Sequence, residues 1–400
     1  MMALQAAWTI MIYSNGNNDL EPEMGQAKAA LEKVRISPDV KVVMQLGRED
    51  AKFVTQMRPH LILDEGEERW TGVRRFLLED RGAVLLADLG RQNMADPASL
   101  YRFVKDSMAE FPAERYMVII GGHGYQFVGS MPDYSQDAPY LMGFPGMALA
   151  LDRACSEQGT EIDLLIADIC YFNCIEVIYE FACRASHGVR HILTYICDGP
   201  VQGMPYDQII PYTFSGEDSP KLIADCIAAL NLDLVAFALD HHQLKAVKGA
   251  FHNLACKLLA WKEEPIDLQE VLFVTDHSCP WFQEAKAALA GLESLIMAYK
   301  RISINDYGLL NIANVANENE RAKRLYSKLQ FACGNDWTKL INGPALGSSE
   351  EQGDDFQALS LNPGEVFAYI SLMNPTVGQE EKLAILDDII TYKKWFGVQQ

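Results

Sequence analysis

Several things are scarce in this 400-residue chain. Positive charge comes first: 34 Lys and Arg face 54 Asp and Glu, a formal net charge of -20. A nucleic-acid backbone or an anionic membrane surface would be repelled by most of such a protein, whereas a cationic substrate would be attracted. Long apolar runs are missing too, and none approaches the ~20 residues needed to cross a bilayer. The first Lys or Arg is Lys28, so the apolar start has no basic region of the secretory kind, and residues 8–13 read as a strand. A cytoplasmic protein is expected, unless an upstream signal has been removed. The nine cysteines are an odd number, without the regular spacing of a zinc framework or a small disulfide scaffold. Reduced thiols are the default. No Walker phosphate loop, GxSxG elbow, zinc-type His/Glu motif or EF-hand loop is present.

What is there is an ordinary globular composition, 49% hydrophobic and 22% charged, enough for one large core and a second, smaller one. The first half alternates strand and helix signals, the pattern of a mostly parallel sheet covered on both faces. Strands are expected at residues 8–14, 40–47, 116–120, 162–170 and 190–197, with residues 232–240 as the last strand of the sheet. Asp96 and Pro97 mark a helix start. The stretch "KFVTQMRPHLILDEGEERWTGVRRFLLE" is expected to form a peripheral antiparallel insertion, and Ser219-Pro220 to begin a helix. Near residue 245 the texture changes to long amphipathic helices, which predicts a 1–245 α/β domain followed by a mainly helical 246–400 domain, with "EVFAYISLMN" as a strand.

In an open α/β sheet the reacting groups sit beyond the C-terminal ends of the strands. Three such ends carry chemistry here: His123 after "GG", the Asp168/Cys170 pair, and Asp198. A thiol needs a partner to take its proton, and histidine serves best near neutral pH. Cys170 is expected to end its strand just before a helix whose N-terminal amides would favour a thiolate. Cys174, a turn further on, is expected to be buried packing. Taken singly, Cys170 reads as a core thiol and His123 as a hydrogen-bonded structural histidine more often than as a reactive pair. Asp168 falls on the same strand face as Cys170, where its charge would oppose a thiolate, so its better use is to bind a cation. Asp198 alone reads as a solvated or capping aspartate. The "GGHG" run is a weak phosphate-loop candidate, giving a nucleotide-binding α/β protein as the third reading, and "DHH" at residues 240–242 is read as surface rather than as a metal site.

Four collinear stretches resemble the clostripain (C11-type) cysteine peptidases, relatives of caspases, gingipains and legumains. They are "WTIMIYSNGNNDLE", "DLGRQNMADPASLYRFVKDSMAEFPAERYMVIIGGHG", "DLLIADICYFNCIEVIYE" and "GPVQGMPYDQII", all within roughly the first 245 residues. The resemblance implies a caspase-like α/β/α sandwich and an acyl-transfer reaction, with Cys170 as nucleophile and His123 as its partner. It implies backbone amides near Gly124 and Cys170 for the oxyanion. Asp168, with Asp198 as a second acid, would lie beneath a pocket for Arg or Lys at P1. The expected partner is a peptide or protein with a basic P1 residue, met by a monomer; calcium enters by the resemblance alone. Met204 stands where the family usually has tryptophan. Many relatives self-cleave after a basic residue between the His and Cys segments, but residues 124–152 contain no Lys or Arg, so one intact chain is expected. The alternative is a catalytically silent relative that keeps the fold to bind a peptide or partner.

Overall fold

The computed structural model describes residues 5–63, 70–183, 188–261, 268, 270–304, 308–313, 320–342 and 356–397. The chain opens with strand β1 (Ala6–Gly16), helix α1 (Glu21–Leu31), β2 (Val40–Arg48), the short helix α2 (Ala51–Met57) and the hairpin strands β3 (Gly72–Glu79) and β4 (Gly82–Gly90). Helix α3 (Pro97–Glu110) leads into β5 (Ala113–Gly121), then the short strands β6 (Gly124–Tyr125), β7 (Gly129–Asp133) and β8 (Tyr140–Met142). Next come α4 (Phe144–Gln158), β9 (Leu164–Asp168), α5 (Ile175–Cys183), β10 (His191–Tyr195), α6 (Tyr206–Ile209), α7 (Ser219–Ala229) and β11 (Leu234–Ala238). The rest is α8 (His241–Ala260), α9 (Phe282–Ser294), β12 (Ile296–Lys300), α10 (Glu320–Lys328), α11 (Trp337–Asn342), β13 (Leu359–Ser360), α12 (Pro363–Met373) and α13 (Gln379–Lys393).

The principal sheet has nine strands in the order β12-β11-β10-β9-β5-β1-β2-β3-β4. Its centre, β10 to β2, is parallel, and an antiparallel pair extends each edge. The central strands read as continuous apolar runs because both of their faces are covered. Alternate residues divide between two cores: Met11, Tyr13, Val118, Ile120, Leu165 and Ala167 face α3, α4, α5 and α8, while Ile10, Ile12, Met117, Ile119, Leu164 and Ile166 face α1, α6 and α7. Each fully buried large apolar side chain in these layers contributes about 1.5–3 kcal/mol. This is the α/β/α sandwich expected from the alternation of elements.

Several local expectations are corrected. Residues 52–57 of the expected insertion belong to α2, and only β3 and β4 make the antiparallel hairpin, which extends the main sheet; residues 64–69 of that stretch lie outside the described residues. The N-cap of α7 is Asp218, whose side chain accepts from the Lys221 amide, and Ser219 is its first helical residue. Strand β11 is not the last of the sheet, since β12 pairs beyond it. "EVFAYISLMN" is α12, begun by a capping box between Asn362 and Glu365 with Pro363 at its first turn. Residue 245 falls within α8, and Phe251, Leu254, Leu292 and Tyr326 beyond it join the same core as the strands. A smaller sheet, β13-β8-β7-β6, ties the chain near residue 360 to the segment that follows His123.

Candidate active site

The site begins with strand register. Strands β5 and β9 are parallel neighbours with Gly121 opposite Asp168, and the Gly122 amide donates to the Asp168 carbonyl at 3.2 Å. His123 and Cys170 therefore leave the same sheet edge side by side, each two residues past that last pair. The loops touch closely because residue 124 is glycine: a Cβ there would lie 2.2 Å from the Cys170 carbonyl oxygen and 2.6 Å from Ile169 Cγ2. His123, Gly124, Asp168, Cys170, Asp198 and Gly203 all line one cleft of about 740 Å³. The five residues expected from sequence are thus brought together.

Cys170 is not followed directly by a helix. Strand β9 ends at Asp168 and α5 starts only at Ile175, so the α5 amides do not border the thiol. The intervening turn is held from outside: Tyr171 takes a positive φ of 57° and its amide donates to the Cys197 carbonyl at 2.6 Å, while Asn173 Nδ2 donates to the Ile196 carbonyl. Those tethers prevent α5 from extending back to Cys170. The thiol instead accepts from the Gly199 amide at 3.4 Å. Burial pushes its pKa up, the Gly199 amide opposes the rise, and the Asp168 and Asp198 carboxylates add to it. Cys174 is buried and donates to Glu176 at 2.7 Å, inside the core.

The partner of His123 was not legible in the sequence. Nε2 lies 3.2 Å from Asp19 Oδ1, and Asp19 is fully buried. A carboxylate can only accept, so Nε2 carries the proton and Nδ1 is left as the basic nitrogen. Asp19 sits just beyond β1 in the "SNGNND" run, whose asparagines are engaged by the chain after His123: Asn15 and Asn18 donate to the Pro132 carbonyl and Asn17 to Asp133. Tyr369 of α12 packs edge-on against the imidazole, ring centres 4.7 Å apart. A signal did exist for Asp19, an acid just past the C-terminal end of a buried parallel strand. For Tyr369 there is none, because the apolar run around it fits a strand as well as a helix.

Asp168 forms the floor of the cleft, 5% exposed. Its carboxylate accepts from the Tyr195 and Tyr206 hydroxyls, both at 2.6 Å, and from the Met204 amide at 3.0 Å. Burial raises its pKa, and these three donors counter the rise. Met204 serves through its backbone, which any residue supplies. Asp198 is exposed at the rim. The arrangement combines a thiol, an oriented imidazole and a buried anion two residues from the thiol.

A sequence model of the clostripain family, Peptidase_C11, matches residues 78–330, more than half of the chain. The chain belongs to the clostripain family. It is therefore a cysteine peptidase, a hydrolase of the caspase-like clan. Among solved structures, this clostripain-family fold is similar to an inactive zymogen C11 protease from Parabacteroides distasonis, at 15% identity and TM-score 0.57, covering 85% of this chain and 99% of that one. It is also similar to a secreted C11 cysteine protease from Bacteroides thetaiotaomicron in complex with an irreversible peptide inhibitor, at 14% identity and TM-score 0.58, covering 84% and 99%. A further structure of a secreted C11 protease from B. thetaiotaomicron, "iotapain", gives 13% identity and TM-score 0.58 over 83% and 99%. At these identities the likeness shows the fold. No curated protein sequence matches the chain.

Among the described residues one group has the geometry for a metal ion, His252, Cys256 and Asp336, outside the cleft. Its thiol and imidazole suit a soft ion rather than calcium, which takes all-oxygen ligands. The Asp336 amide donates to His252 Nδ1 at 3.2 Å, so Nε2 turns a proton, not a lone pair, toward Cys256. The calcium implied by the family resemblance does not fit these donors. His241 and His242 are exposed at the start of α8, whose N-cap is Asp240. Among the described residues no helix is long and apolar enough to cross a membrane.

Proposed function

We propose that the chain is an endopeptidase that cleaves after Arg or Lys through Cys170 and His123. The observation that carries this reading is the shared cleft: Cys170, His123 and the buried Asp168 carboxylate line one cavity at adjoining strand ends. A P1 guanidinium or ammonium descends to Asp168, with Asp198 adding charge at the rim. Burial is the main cause of the raised thiol pKa and the two carboxylates add to it; pairing with the cation offsets that added part, so a basic substrate also eases ionisation of Cys170. His123 Nδ1 takes the thiol proton while Sγ attacks the carbonyl carbon. Backbone amides of Cys170 and Gly124 stabilise the oxyanion. His123 then protonates the leaving amine, the C–N bond breaks, and an acyl-enzyme remains that water hydrolyses with His123 as base.

Residues 1–245 supply every reacting group in this scheme, and the later part supplies the wall that carries Tyr369; the division at 245 is proposed in that functional sense. One copy of the chain suffices, which supports a monomer. The nine cysteines are unpaired, which supports a reducing, cytoplasmic setting. Strand β7, within the segment that lacks Lys and Arg, is buried throughout, which supports activity as one uncut chain.

Labelling with a P1-Arg acyloxymethyl ketone tests the assignment. Modification of Cys170 that disappears in Cys170→Ala supports it. Absence of labelling, with tight peptide binding retained, would favour the silent binding protein.

A further inference from the structure

The cleft does not end at Cys170. A larger cavity of about 1380 Å³ opens beside it, and the two share Gly124, Tyr171 and Leu372 as walls. Its lining is chiefly apolar and is assembled from three distant parts of the chain. Tyr125 and Phe127 come from the segment after His123, Leu325 from α10, and Leu361 and Ala368 from the chain around α12. Glu365, the one charged side chain lining it, is engaged by Arg321 and by the α12 capping box, so the cavity offers an ionic partner little. At the junction Leu372 is 58% exposed, a large apolar side chain held at the mouth of both cavities.

We infer that this second cavity binds the leaving-group side of the peptide substrate and selects a large apolar residue, aliphatic or aromatic, immediately after the scissile bond. The inference rests on the proposed peptidase reading. The 198–203 loop borders the first cavity and not the second, so with the P1 side chain over Asp168 the acyl part of the substrate lies beside that loop. The second cavity lies past Gly124 and Tyr171, adjoining the residues after His123, the group that protonates the departing amine. A residue attached to that amine has this groove as its adjoining surface. Walls from α10 and α12 make the C-terminal part of the chain a determinant of specificity.

Two substrates and one variant test this. N-acetyl-arginine methyl ester expels only methanol and reports on the thiol and the P1 pocket alone. A set of internally quenched peptides with Arg at P1 and Gly, Ala, Leu or Phe at P1′ reports on the groove. Ala368 is exposed on α12, so Ala368→Phe fills the cavity without disturbing the core. Leu and Phe peptides should be cleaved with kcat/KM about tenfold or more above the Gly peptide, a gain that Ala368→Phe abolishes while ester hydrolysis stays unchanged. Ester hydrolysis with equal rates for all four peptides overturns the inference and leaves the peptidase reading standing. In a second set with Gly, Ala, Leu or Phe at P2 and Gly at P1′, the same gain at P2 and none at P1′ overturns it too. A wild-type protein that hydrolyses neither ester nor peptide overturns both.

Discussion

Asp19 Oδ1 and His123 Nε2 stand 3.2 Å apart although 104 residues separate them in the chain. The pairing fixes which imidazole nitrogen is free, and it does so from a carboxylate with no solvent exposure. Asp19 acts through His123, as a positioning residue. Asp19→Asn should lower kcat by about a hundredfold with KM little changed, since Asp19 lies behind the imidazole and does not itself touch the substrate. Steady-state kinetics with a P1-Arg peptide, beside a thermal melt showing retained folding, would check this. An equal rise in KM would mean the loop itself had moved.

The two acids near the thiol make a prediction about pH. Both raise the pKa of Cys170, so removing the exposed one should lower it. In Asp198→Asn the pH midpoint for alkylation by iodoacetamide should move to lower pH than in wild type. An unchanged midpoint would show that Asp198 does not act on the thiol.

Asp168 predicts a second pH effect of opposite origin. Its pKa is raised by burial, so as pH falls the carboxyl becomes neutral above the usual carboxylate range of about 4. A basic P1 residue then loses its counter-charge. KM for Arg substrates should rise as pH falls through that raised pKa, and Asp168→Asn should remove this dependence while raising KM at neutral pH by at least about thirtyfold. A KM that still depends on pH in the variant would place the titrating group elsewhere.

Gly124→Ala tests the contact between the two loops. The added methyl would overlap the Cys170 carbonyl oxygen, a backbone atom that cannot rotate away. The loops must separate, and kcat/KM should fall by about a hundredfold, since small misplacements of reacting groups are costly. Wild-type activity in this variant would show that the two loops have room to part without consequence.

The Tyr369 hydroxyl is buried and without a hydrogen-bond partner among the described residues, whereas its ring packs on His123. Tyr369→Phe should therefore keep full activity and lose no stability, because an unsatisfied buried hydroxyl contributes nothing favourable. Tyr369→Ala should lower both kcat and the melting temperature. Comparing the two variants separates the ring from the hydroxyl.

Much of this protein was written locally. The apolar runs that became β1, β5 and β9, the Asp96-Pro97 start of α3, and the placing of His123, Cys170, Asp168 and Asp198 at or just past strand ends all follow from residue periodicity and turn chemistry, which depend on near neighbours. The capping box of α12 was local too; an apolar run of ten residues simply fits a strand as easily as a helix until its cap is considered. Tertiary structure alone decided the rest. Strand order sets β1 beside β5, and that neighbourhood carries Asp19 to His123. The tethers from residues 196–197 hold the Cys170 turn open, so α5 starts five residues after the thiol. Tyr195 and Tyr206 reach Asp168, and α12 returns from residue 363 to wall the cleft. Periodicity shows which side of an element is buried, but which side chains meet across distant segments is set by register and packing, and the site is made of those meetings.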